Sequence, residues 1–141
     1  MTHIVTHSEK ETLALAKKYA KTLRGGTILG LIGNLGAGKT VFIKGLASGL
    51  GLKKNITSPT FVIMKVYPVK KGKVKNFVHI DAYRIKEGRD LIAIGAQEYL
   101  NWPDTLTVIE WADRIKKVLP EKIRFIKIKI LAGEKRKISL N

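Results

Sequence analysis

Apolar positions along the chain change their period several times, and each change marks an element. Leu13, Ala14, Ala16, Tyr19, Ala20 and Leu23 recur with the spacing of one helix face. Ser8 and Glu11 precede them at the S-x-x-E spacing of a capping box, so a helix is expected to start there. Gly25-Gly26 should end it, and residues 3–5 before it read as a short strand. Residues 27–32 are apolar without alternation, the pattern of a strand covered on both faces. Helical spacing returns at Val41, Phe42, Leu46 and Leu50, with Gly51 as the stop.

Residues 60–67 and 74–80 are rich in Phe, Val, Ile and Tyr and predict a β-hairpin. Its connection, Pro68-Val69-Lys70-Lys71-Gly72-Lys73, reads as a loose basic loop. Residues 87–100 should hold one or two short helices interrupted at Gly95. Residues 105–109 form another apolar run that ends at Glu110-Trp111, and a short helix over 112–118 should stop at Pro120. Residues 125–130 alternate strictly, giving one apolar and one lysine face, before a turn at Ala132-Gly133-Glu134 and a last strand near 136–140. Nothing in the chain repeats or reads as a linker. A single α/β domain over 1–141 is expected.

Composition narrows this picture only a little. At 141 residues, with 45% hydrophobic and 27% charged residues, one globular core is feasible without staples. The absence of cysteine excludes disulfides, thiolate metal sites and thiol nucleophiles. No apolar stretch has the length of a membrane span or the flanks of a signal peptide, so a soluble, cytoplasmic protein that makes no membrane contact is expected. The net charge of +16 attracts phosphates, nucleic acid or acidic surfaces, but equally suits a solvated lysine-rich surface.

The chemistry lies between the buried strand and the following helix. Gly33-Asn34-Leu35-Gly36-Ala37-Gly38-Lys39-Thr40 fits G-x-x-x-x-G-K-[ST]. Such a loop wraps a β-phosphate so that successive backbone N–H groups converge on its oxygens, and glycine allows the close approach. The helix that follows adds the partial positive charge of its N-terminus. Lys39 can then reach the β- and γ-phosphates, while the Thr40 hydroxyl can ligate magnesium. With this loop the expected fold is a P-loop NTPase, its central sheet largely parallel or mixed and flanked by helices.

A phosphate loop of this kind works with acids at neighbouring strand ends. Asp81 follows Phe77-Val78-His79-Ile80, and Glu110 follows Leu106-Thr107-Val108-Ile109. Both stand where open α/β sheets bind ligands. Glu110 is assigned to the metal, and Asp81 to the attacking water or a metal-bound water. His79 shares a strand face with Asp81 and reads as a packing or supporting residue. No N-K-x-D guanine-reading segment is present, which favours adenine by default.

These residues occur with Ser58-Pro59-Thr60-Phe61, His79-Ile80-Asp81-Ala82-Tyr83-Arg84 and Ile109-Glu110-Trp111 in the same order. Together they resemble the TsaE family of bacterial P-loop ATPases over nearly the whole chain. The resemblance implies an ATPase needed to make threonylcarbamoyladenosine in tRNA. It implies work with the TsaB–TsaD heterodimer, without performing the transfer itself, and contact with tRNA only through that complex. ATP and magnesium are the implied ligands. Carried over by position, the loop backbone from Asn34 to Lys39 binds phosphates, Thr40 and Glu110 hold magnesium, and Asp81 assists hydrolysis. Thr60 occupies a switch-like segment. The stretch around Thr6 to Glu9 lies near the base, and Gly133-Glu134-Lys135-Arg136 approaches the nucleotide. Tyr83 and Arg84 face the partner complex, or Arg84 instead neutralises phosphate charge, and Trp111 is either an aromatic cap over the site or a core residue. The lysines at 65, 70, 71, 73 and 75 are not required by the family pattern.

Two other classes compete with this reading. A small-molecule kinase would need a phosphate-closing lid, for which the ~30 residues after Glu110 leave little room. A nucleic-acid-binding module switched by nucleotide is motivated by the charge. Slow hydrolysis by the isolated protein is expected, because no arginine finger of its own is evident in the sequence.

Overall fold

The computed structural model describes residues 2–34, 36–53, 56, 64–100 and 102–140. Its strands are β1 (Thr2–Thr6), β2 (Ile28–Ile32), β3 (Met64–Lys71), β4 (Val74–Asp81), β5 (Thr105–Glu110), β6 (Arg124–Ala132) and β7 (Lys135–Leu140). The helices are α1 (Glu9–Ala20), α2 (Lys39–Gly49), α3 (Gly88–Ala93) and α4 (Gln97–Leu100), with a 3-10 helix over Ala112–Val118. The strands form one sheet in the order β1-β7-β6-β2-β5-β4-β3. Its centre, β6-β2-β5-β4, is parallel, and β3, β7 and β1 add antiparallel pairs at the margins. The sheet is therefore mixed, with β2 at its middle.

Burial follows from this position. Ile28, Leu29 and Leu31 of β2 are buried because helices lie on both faces. One layer is the α1–α2 pair, packed on Leu29, Leu31, Leu106, Val108, Ile126 and Ile128. The opposite cluster joins Ile28, Val78, Ile80 and Ile109 to Leu91 and Leu100 of the short helices and Ile115 of the 3-10 helix. The two long helices touch closely because small residues face each other. A Cβ on Gly45 would lie 2.5 Å from the Ala16 Cβ, and one on Gly49 would lie 2.6 Å from that of Ala20. That contact fixes where α2 begins, and α2 begins at the phosphate loop. No described helix is long and apolar enough to cross a membrane.

Three local expectations need correction. Ser8 caps α1 by accepting from the Glu11 N–H at 3.1 Å, but the Glu11 carboxylate accepts from the backbone of His7, so the reciprocal half of the box is displaced by one residue. The expected basic loop at 68–73 is mostly strand, since β3 runs to Lys71 and the turn shrinks to Gly72-Lys73. Pro68 is accommodated because β3 is an edge strand, and pairing is irregular between Pro68 and Lys71. The alternation in β6 buries Ile126 and Ile128, yet leaves Ile130 exposed where the β6–β7 hairpin outruns the core.

Candidate functional site

Strand β2 delivers the chain into the glycine loop, and the loop into α2. Gly36 and Gly38 have φ of +78° and +102°, a left-handed backbone that side chains other than glycine resist. A Cβ on Gly33 would lie 2.7 Å from the Ile128 carbonyl oxygen, so close packing against β6 demands glycine there. Asn34 is exposed at the loop's start, Ala37 is buried beneath it, and Thr40 is half-buried in the first turn of α2. Leu35 lies outside the described residues, as do Ser58, Pro59, Thr60 and Phe61 of the expected switch-like segment.

Lys39 is the first residue of α2 and is buried. Its ammonium donates to the Gly33 carbonyl and sits 3.4 Å from the centroid of the Trp111 ring. Burial pushes its pKa down, opposed by the negative fields of Glu110, Asp81 and Asp113. Trp111 has φ of +59°, the only non-glycine residue with positive φ among those described. It meets Tyr83 edge-on at 5.2 Å, and the Arg114 guanidinium lies 4.5 Å from the Tyr83 ring centre while donating to the Tyr83 carbonyl. Trp111 thus caps the loop lysine and, half-buried, also packs against the cluster around Ile80 and Ile109. The sequence reading does not single out Arg114; its three-residue spacing from Trp111 is the one signal that could have found it.

The two acids meet as their strand positions implied. Asp81 and Glu110 are register partners at the ends of β4 and β5, and Leu31 of β2 is in register with Glu110. Alternation aims both acids, with His79, at the face covered by α1 and α2. Glu110 is buried, and its Oε2 accepts from His79 Nε2 at 2.7 Å. His79 is fully buried and its Nδ1 has no partner among the described residues. His79 therefore supports Glu110. Asp81 accepts from the Tyr83 N–H at 2.9 Å. Burial raises its pKa, the Tyr83 bond lowers it, and the neighbouring Glu110 raises it again.

Arg136 reaches the loop from β7. It donates from Nε to the Ala37 carbonyl at 2.9 Å and from Nη2 to the Gly36 carbonyl at 3.1 Å. Its contact with the loop is through carbonyls, so it shapes the phosphate cradle. Thr6 is in register with Arg136, which brings the turn before α1 beside the same loop. Glu9 follows, exposed, in the first turn of α1. Arg84 is exposed.

The geometry suits a magnesium-bound nucleotide. A glycine loop of this kind converges backbone N–H groups on a phosphate, and here the buried lysine and a helix N-terminus add positive charge beside it. No group of three or more acidic or histidine side chains among the described residues could hold a metal alone. Magnesium beside a nucleotide is commonly held by one or two protein groups together with substrate phosphates. Thr40 and Glu110 are the protein groups that would hold it.

The chain is similar to known proteins along nearly its whole length. The family model described as threonylcarbamoyl adenosine biosynthesis protein TsaE matches residues 6–138. The tRNA threonylcarbamoyladenosine biosynthesis protein TsaE of Treponema pallidum (strain Nichols) is 38% identical over 136 residues, covering 96% of this chain and 97% of its own. That of Bacillus subtilis (strain 168) is 39% identical over 135 residues, covering 95% and 81%. The crystal structure of Bacillus subtilis YdiB matches with a TM-score of 0.76 and 36% identity, over 97% of this chain and 82% of that one.

Proposed function

The chain belongs to the TsaE family of threonylcarbamoyl adenosine biosynthesis proteins, and from that premise we propose that it binds magnesium–ATP, hydrolyses it slowly, and serves the TsaB–TsaD heterodimer. The single observation that supports this best is the level meeting of three strand ends. The glycine loop after β2 stands beside Glu110 of β5, which stands beside Asp81 of β4. A nucleotide in the loop has its terminal phosphates at those acids.

Each side chain has a distinct task in this reading. The loop N–H groups from Asn34 to Lys39 hold phosphate oxygens. Lys39 leaves the Gly33 carbonyl and the Trp111 ring for the β- and γ-phosphates, where its charge opposes theirs. Thr40 and Glu110 would hold magnesium, which would supply a positive charge that draws electron density from the phosphate oxygens. His79 keeps the Glu110 carboxylate oriented. Asp81, with its proton affinity raised, orients the attacking water and accepts its proton. The Thr6–Glu9 turn and Arg136 border the nucleoside end.

Titration calorimetry with ATP and magnesium tests the binding half of this reading. Binding that needs magnesium and is lost in Lys39→Ala is the expected result. Equal affinity in the two proteins would remove Lys39 from the site.

A further inference from the structure

A second positive surface lies on the other side of the sheet from the nucleotide loop's helix. Alternation along β6 sends Ile126 and Ile128 into the core, so Lys127 and Lys129 project from the opposite face. On β7, Ile138 is in the core and Lys137 and Ser139 share the lysine face. Register places Lys129 beside Lys137, and Lys127 beside Ser139, which itself hydrogen-bonds His3 of β1 at 2.8 Å. Lys127 and Lys129 are exposed. Lys127, Lys129, Lys137 and Ser139 line a cavity of about 460 Å³ together with Gly33, Asn34 and Ala37 of the nucleotide loop, and its described lining contains no carboxylate.

We infer that this face binds the sugar–phosphate backbone of tRNA directly. The reading of the nucleotide site reaches tRNA only through partner proteins, so this contact is additional to it; the choice of tRNA as the polyanion rests on the family assignment. Alternate residues of an antiparallel strand stand about 6.8 Å apart, which arrays the ammonium groups as a line of separate charges. A line of lysines suits a chain of phosphates, which protein side chains bind without reading sequence. It does not suit a protein partner, since the cores of protein interfaces are depleted in lysine and anchored by aromatic residues. None of the described residues lining the cavity is aromatic.

The test is the anisotropy of a fluorescein-labelled tRNA transcript titrated with the full chain across a salt series. One variant carries Lys127→Gln, Lys129→Gln and Lys137→Gln. A charge-matched control carries Lys10→Gln, Lys17→Gln and Lys18→Gln, which removes three exposed charges from α1. The sheet-face variant should bind at least about tenfold more weakly at low salt, with a log–log salt slope smaller by about 2–3. The control should stay within about threefold of wild type. Both should bind ATP normally, which separates this inference from the nucleotide-site reading. Equal losses in the two variants, or no tRNA binding by wild type, would overturn the inference. So would a sheet-face variant that binds tRNA normally but loses affinity for TsaB–TsaD.

Discussion

Asp81 and Glu110 stand side by side as register partners on adjacent parallel strands, and the field of one carboxylate raises the proton affinity of the other. Burial is the larger cause of the rise at Asp81. The folded state thus holds the Asp81 proton more tightly than the unfolded chain does. Stability falls as pH climbs from the ordinary value of 3.8 through the raised one, and the deficit persists above it. Asp81→Asn keeps an acceptor for the Tyr83 N–H and removes the charge. Its melting temperature should exceed that of wild type at neutral pH, and the advantage should shrink toward acid. A variant less stable than wild type at neutral pH would contradict this account. Hydrolysis should nevertheless drop, because stability and activity pull in opposite directions at such a site.

Arg136 ties β7 to the phosphate loop through two carbonyls. Arg136→Ala should cost about 1–3 kcal/mol of stability, as expected for lost charge-assisted hydrogen bonds, and should weaken ATP binding by loosening the cradle. Arg136→Lys should recover little, since an ammonium cannot serve both carbonyls with a planar fork. Denaturant melts and ATP titrations of both variants check this. Full rescue by lysine would mean that charge alone matters.

Gly45 sits where α1 and α2 approach most closely. Alanine would favour the helix by about 1 kcal/mol, yet its Cβ would fall 2.5 Å from both the Ala16 Cβ and the Leu13 carbonyl oxygen. Overpacking should win, so Gly45→Ala should lose about 1–3 kcal/mol in a urea melt. A gain in stability would show that the helices can part freely.

What the sequence made legible was local. The glycine loop, the buried strand before it and the helix after it lie within one short segment, and each carries its own pattern of apolar and glycine positions. The strand-end acids were legible for the same reason, because Asp81 and Glu110 each close an apolar run. The mutual support around them was not. The Arg136 bond to Ala37 spans 99 positions and depends on how β7 registers with β1 and β6. The stacking of Lys39 on Trp111 depends on a left-handed turn at a tryptophan, which no propensity anticipates. Pro68 misled the reading of the hairpin, since proline marks a loop unless the strand is known to lie at an edge. The lysine alternation in β6 was visible, but its meeting with Lys137 needed the hairpin register.

The measurement that tests the central claim most directly is magnesium-dependent ATP hydrolysis by wild type, Lys39→Ala and Glu110→Ala, each alone and titrated with purified TsaB–TsaD. Slow wild-type turnover that changes with the partners, and a fall on the order of 100-fold or more in both variants, is the predicted result. Wild type that binds ATP but hydrolyses none with or without the partners would contradict it, and would make the protein a nucleotide-gated binder instead.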